Sequence, residues 1–520
     1  MVLIRKRSVF SSAWAALVLG FAALGLTGLA FIGERAGVPT TMLRFLLTVS
    51  MLGTLLGFGV SSLIVEPQRW SLADRSVRGV SAAPAMIVLA LTMTWITASS
   101  MPAALPAALF AGCLVGLLLH VAVFGPRMRR IGALSPGRML SLRFTGWEGL
   151  PLRILTGALA CLLLAGLVLH VIGLIAERFM TDLSLSSVWA KVMAACVLFL
   201  PAWAGGMTTL IRLCRIGLAF SLATLAAALL ISTLLPGSAT AALPLFPTVW
   251  DHAMTKAMQA GLLTILFLPA LMPVLASLST PRSNYRLAAW IAALGACMIA
   301  AMLWIGIPNA DPGTAAPALN GSELAPLLLN MAGLAMLTTG GGLLLFALCA
   351  CFVDDLVLSV MDEPRIVKGR LLAWRRFAMM GALTGLIVMF LLFGQNDPWM
   401  TELDRIALPI FVAMAIAIYP PALLWSGTSG IGALSGLLIA SLSQVVLLLV
   451  FGAGAPSEAI FGLGDGLACG LFGATVTLVV SLIVPPREDA WQTAAAMAQT
   501  DEETAFDPRS ATARPMEGLA

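Results

Sequence analysis

The chain has 520 residues, of which 60% are hydrophobic and 11% charged, with a formal net charge of +5 and a mean hydropathy of +0.98. Average soluble domains are about a quarter charged, so this composition excludes a soluble protein and implies a polytopic membrane protein. The apolar runs are continuous rather than alternating, which excludes a β-barrel. A bilayer core needs about 20 apolar residues per helical crossing, and fourteen such runs follow in chain order: 10–31, 42–64, 82–104, 105–125, 150–175, 187–205, 208–234, 256–277, 287–307, 324–352, 376–394, 406–425, 429–452 and 460–484. The basic N-terminus "MVLIRKR" and the run after it read as an uncleaved first span.

Alternating the loops between two sides puts 21 of the 30 lysines and arginines on the side of the N-terminus and six on the other. This positive-inside asymmetry predicts a multi-pass protein of the inner (plasma) membrane with both termini cytoplasmic. The tail, 485–520, loses its hydrophobicity and reads as disordered. The basic residues follow topology, so nucleic acid is not an expected partner. The eight cysteines lie in apolar runs and read as core residues. His120, His170 and His252 fall in different elements and read as hydrogen-bonded core or loop residues. Asp354 and Asp355, at a helix end followed by basic residues, read as solvated ion-pair partners. No nucleophile–His–acid constellation is visible, and the chain is not expected to be an enzyme.

Three spans are irregular. The third contains Thr92, Thr94, Trp95, Thr97, Ser99 and Ser100 and is followed by Pro102 and Pro106. The eighth contains Pro269 and Pro273, each of which removes a backbone hydrogen bond. The tenth reads "LAMLTTGGGLLL" (334–345), with two hydroxyls and three glycines in mid-span. With the third span numbered one, the eighth is number six and the tenth number eight. Two broken helices in corresponding halves, faced by a hydroxyl-rich helix, fit an inverted repeat with its binding site at the breaks.

Several motifs, in order, resemble the solute:sodium symporter family, and in particular its acetate-permease-like branch, over about 72–374. "ADRSV" (73–77) is similar to the family's "AGRSV", and "MTWITASSM" (93–101) to "ADWMSAASF". "GPRMRRIG" with "RMLSLRF" resembles "GPYLRKFG" with "DFLGARF". "PAWAGGMTTL" (201–210) is similar to the family's "GGM" turn. "LAMLTTGGGLLL" resembles "AAALSTADGLLL", and "VDDL" (353–356) resembles "SHDL". The chain is thereby identified as a divergent member.

The resemblance implies an all-α leucine-transporter-type core of five plus five helices. Two N-terminal helices (1–70) would precede the first repeat (71–234), and a second repeat (255–426) would be followed by two C-terminal helices (427–484). It also implies sodium-coupled symport of a small organic solute, a monocarboxylate or other organic acid, with Na+ transported rather than held as a prosthetic group. Carried over by motif, the sodium ligands are the hydroxyls of Thr338 and Thr339 and the carbonyls of Ala335, Met93 and Ile96, the last two exposed by a break in helix one. Thr94, Trp95, Thr97 and Arg215 are candidates for the solute. The alternative is that the threonines bond back to their own helix and the glycines only pack helices.

The departures from the family pattern are specific. Its helix-one Asp is Thr94 here, its "AD" is Gly340–Gly341, and two helix-five glutamines fall at Arg212 and Arg215. An arginine inside a span is costly and is a candidate for a substrate carboxylate; alternatively both arginines reach the head groups. These losses support a second reading, a non-transporting member acting as a membrane sensor or scaffold.

Overall fold

The computed structural model describes residues 12–60, 63–64, 66–100, 106–234, 252–279, 283–305, 324–360, 368–393, 398–451 and 465–487. Two helices, α1 (Ser12–Arg35) and α2 (Thr40–Val60), precede the short α3 (Pro67–Leu72). Next come α4 (Gly79–Ser100), α5 (Pro106–Leu119) continued through a π turn (His120–Phe124) into α6 (Gly125–Ile131), and α7 (Pro136–Arg143). The long α8 (Gly149–Leu183) and α9 (Ser187–Leu234) are followed by α10 (His252–Leu266), α11 (Leu271–Ala276) and α12 (Ser283–Ile305). The second half has α13 (Leu324–Cys351), a π turn (Phe352–Val357) with α14 (Leu358–Val360), α15 (Lys368–Phe393), α16 (Pro398–Leu424), α17 (Gly430–Phe451) and α18 (Asp465–Ile483). Among the described residues, ten helices are long and apolar enough to cross a membrane.

The ten do not map one to one onto the fourteen runs. Runs 187–205 and 208–234 are two helical limbs, together labelled α9, that meet at Gly206, whose φ of 54° and ψ of −146° are not helical. On a straight helix Leu198 and Leu210 would lie about 18 Å apart. Yet Leu198 packs at Gly341 of α13 and Leu210 at the adjacent Gly342. The limbs therefore fold back on each other as a V with Gly206 at its vertex. A side chain at Gly206 would strike the carbonyl and ring of Trp70, so the vertex is glycine for two reasons, its positive φ and the approach of α3.

At the centre of the bundle is α13. It is hydrophobic all round, and nearly every residue from Met331 to Cys351 is buried, as expected of a helix surrounded by others. By contrast α17 and α18 expose Leu449, Phe451, Leu482 and Ile483, the pattern of a lipid-facing rim.

The two irregular helices differ. Helix six is broken: α10 stops at Leu266, α11 starts at Leu271, and Pro269 and Pro273 lie in the break and just beyond it. Helix one is not broken where the sequence suggested, because α4 runs without interruption from Gly79 to Ser100. Pro84 is accommodated near its start. Pro102 lies outside the described residues, and Pro106 opens α5, a first-turn position where a missing N–H costs nothing. The start of α4 and the end of α11 are joined by a parallel bridge between Val77 and Leu278: the Val77 amide donates to the Ser277 carbonyl (3.2 Å) and the Ser279 amide to the Val77 carbonyl (2.8 Å).

Candidate cation and solute site

The glycine run of α13 faces three directions. A Cβ at Gly340 would run into the Thr92 hydroxyl of α4, one at Gly341 into Val171 of α8 and Leu198 of α9, and one at Gly342 into Leu210 of α9. Successive residues on a helix point about 100° apart, so three small residues in a row let three neighbours touch the backbone at one level. Thr92 uses that approach to donate to the Met336 carbonyl across the helices at 3.2 Å. One turn away, Trp95 lies against Gly333.

Thr338 and Thr339 sit in this crossing, both buried. Their hydroxyls donate to the same acceptor, the Ala335 carbonyl, at 3.0 and 2.8 Å. Thr339 also reaches the Met336 carbonyl at 3.3 Å. Three of the five sodium ligands suggested by the family pattern, Ala335, Thr338 and Thr339, therefore converge within one turn of α13. Each hydroxyl keeps its lone pairs while donating its proton.

The other two, Met93 and Ile96, are buried residues within the continuous α4. The Met93 carbonyl accepts the Thr97 hydroxyl at 2.8 Å. The expected exposure of these carbonyls by a break does not occur among the described residues. The physical reason is local: Thr94 donates to the Ala90 carbonyl (2.8 Å) as Thr97 does to Met93, so the hydroxyls are satisfied within the helix and no proline interrupts this turn.

Of the solute candidates, Thr94, Trp95 and Thr97 share one turn of α4. Arg215 does not join them. Its Nε donates to the Ser81 carbonyl at 3.1 Å, and Ser81 lies about 20 Å along α4 from Thr94.

The C-terminal end of α13 corrects another expectation. Asp354 and Asp355 are not solvated: they are 1% and 0% exposed. Asp355 accepts from the Ser135 hydroxyl (2.5 Å) and from the amides of Gly137 (3.1 Å) and Arg138 (2.6 Å). It thus caps the N-terminus of α7 from another helix. Asp354 pairs with Arg375 of α15 at 2.7 and 2.9 Å, and its carbonyl takes the Arg153 guanidinium of α8. At the far end of α7, the buried Arg143 donates to the carbonyls of Ala422 and Ser426 at the end of α16, both at 3.3 Å. Burial lowers its pKa to about 10, which leaves it a cation at neutral pH.

His120 is the hydrogen-bonded core residue expected, and it lies at the helix-six break, a placement the sequence did not show. Its Nδ1 lies 2.6 Å from the Leu266 carbonyl, the last of α10, while its buried Nε2 has no partner among the described residues. Phe124, Phe267 and Tyr419 contact one another in sequence beside it, tilted and edge-on, with centroids 5.4 and 5.5 Å apart. A lone polar residue in an apolar run, ahead of a proline-broken span, was the available signal.

The fold has a known counterpart. A Na+-coupled sialic acid symporter, solved in a substrate-bound outward-open state, superposes with a TM-score of 0.63 at 12% identity, covering 85% of this chain and 98% of that one. A manganese transporter from Eremococcus coleocola has a TM-score of 0.45 at 13% identity, covering 80% of this chain and 95% of that one. No protein-family model and no curated protein matches the sequence. The chain is a multi-pass membrane protein, all-helical among its described residues, with the leucine-transporter-type fold.

Proposed function

We propose that the protein is a sodium-coupled symporter for a small organic solute, a monocarboxylate or other organic acid, oriented with its arginine-rich end in the cytoplasm. The observation that carries this is the convergence of the Ala335, Thr338 and Thr339 oxygens within one turn of α13, where Thr339 and the Ala335 carbonyl face Gly217 of α9 and Thr92 of α4 bonds to the adjacent Met336 carbonyl, in a fold shared with a sodium-coupled transporter. A hard cation takes oxygen ligands. Rotation of the two hydroxyls would turn the threonines from donors to the Ala335 carbonyl into ligands of an ion. Thr92, already in contact across the helices, would offer the first oxygen from α4. Met93 and Ile96 would join the shell when α4 opens at that turn, which alternating access at a helix break provides. The solute would then lie beside Thr94, Trp95 and Thr97.

The test is solute uptake into proteoliposomes with and without a sodium gradient, for the wild type, Thr338→Ala and Thr339→Ala. Sodium-driven uptake that each substitution cuts at least tenfold supports the reading; uptake indifferent to sodium and to both removes it. The unbroken α4 favours a second reading, a non-transporting sensor or scaffold, and solute binding without flux would establish that one instead.

A further inference from the structure

A cavity of about 70 Å³ opens where three helices end. It is lined by residues of the loop before α8 (144–148), the start of α17 (429–431) and the chain just after α18 (484–487). The apolar spans begin at Gly149 and Gly430 and end at Ile483, so the cavity lies level with the lipid head groups. A single water needs roughly 10–15 Å³ on such a measure. The space therefore admits a group of several heavy atoms.

One wall of the cavity is Glu148. The residue is 6% exposed, and its Oε2 has no hydrogen-bond partner among the described residues. Two glycines make room for it: a Cβ at Gly430 would strike the Glu148 Cγ, and one at Gly146 would strike both carboxylate oxygens. Glu148 stands at the N-cap of α8, yet its side chain makes no capping bond. The start of α17 is capped by other groups: the Gly432 amide donates to the Ser429 hydroxyl and the Ser429 amide to the Ser481 hydroxyl, both at 3.1 Å. The positive ends of α8 and α17 favour an ionised carboxylate, but no amide of either bonds to Oε2. A buried acceptor left unsatisfied costs about 1–3 kcal/mol, and more when charged. The geometry calls for a donor that carries positive charge and enters through the cavity.

Arg487 also lines the cavity and is exposed. A guanidinium repels a bare metal ion, whereas a ligand with an ammonium next to a phosphate suits both residues. The surroundings name the source. Trp147, Leu150, Leu482 and Ile483, adjacent in the chain to lining residues, are all exposed. They make an apolar collar with an interfacial tryptophan, as expected beside lipid.

We propose that Glu148 and Arg487 bind the head group of phosphatidylethanolamine, whose ammonium donates to Glu148 Oε2 while its phosphodiester faces Arg487. The quaternary ammonium of phosphatidylcholine has no N–H to donate, so the site distinguishes the two lipids. This proposal is independent of the transport reading.

The experiment uses the full-length protein in nanodiscs holding phosphatidylethanolamine and phosphatidylcholine of matched acyl chains, and reads retained lipid by native mass spectrometry. The wild type should retain phosphatidylethanolamine about tenfold over phosphatidylcholine, the worth of one charge-assisted hydrogen bond. Glu148→Gln, which keeps the side chain's size, should erase that preference, and an unchanged elution profile checks the fold. Arg487→Gln should lower retention of both lipids about fivefold and keep their ratio, because both carry the phosphate. Equal retention of the two lipids by the wild type would overturn the proposal without any variant. So would a preference that survives Glu148→Gln, or an Arg487→Gln variant that retains both lipids as the wild type does. Displacement of the lipid by millimolar O-phosphoethanolamine would also overturn it, as the mark of a site for a soluble amine.

Discussion

Thr338 and Thr339 lie in the middle of α13, and Asp354 and Asp355 about 24 Å further along the same continuous rod. Both pairs are buried and polar, yet they are satisfied in opposite ways. The threonines spend their protons on a carbonyl of their own helix. The aspartates reach other elements: α7 through its capping amides, α15 through Arg375, and α8 through Arg153. A group satisfied locally can exchange its partner without moving a helix. A group satisfied remotely holds helices together, and removing it strands donors on several of them at once. The middle of α13 is thus suited to a ligand and its C-terminal end to architecture.

The largest expected effect lies at the C-terminal end. Asp355→Ala strands the Ser135 hydroxyl and two amides of α7 and should cost about 3–5 kcal/mol, read as a lowered unfolding temperature in detergent. A variant as stable as wild type would erase the contrast. Next comes the crossing: Gly340→Ala forces a Cβ against Thr92 and should cost about 1–3 kcal/mol. Adding Thr92→Ala, which deletes the obstructing hydroxyl, should recover most of that loss in a double-mutant cycle; additive losses would show that the contact is not the cause. Thr338→Ala and Thr339→Ala should each cost only about 1 kcal/mol in stability, while Thr338→Ser costs less. A loss comparable to that of Asp355→Ala would mean that the threonines, too, are structural. Smallest is Arg212→Gln, expected within about 0.5 kcal/mol of wild type in detergent because Arg212 is exposed.

The two core helices that share the irregular pattern show how far such patterns reach. Pro269 and Pro273 lie four apart in one run, and the helix breaks there. The prolines near helix one come after its hydroxyl-rich turn, and α4 stays whole through Ser100. A proline acts on the turn before it, so position relative to the turn matters more than presence in the segment. Thr92, Thr94 and Thr97 look alike in sequence, but one bonds across to α13 and two bond back into α4. Arg212 and Arg215 also read as a pair, and one anchors the start of α4 while the other faces outward.

Hydrophobic run length, the clustering of arginines and the proline spacing depend only on residues close in the chain. They sufficed to determine a multi-pass helical membrane protein, the broken sixth core helix and the special character of the 338–342 turn. Which neighbour each glycine admits, that Asp355 caps a helix more than 200 residues away, and where Arg215 lies relative to Thr94 were settled only in three dimensions. A hydroxyl, carboxylate or guanidinium carries the same donors and acceptors wherever it sits. Its partner is chosen by which helix the packing brings within about 3 Å, and no local pattern encodes that.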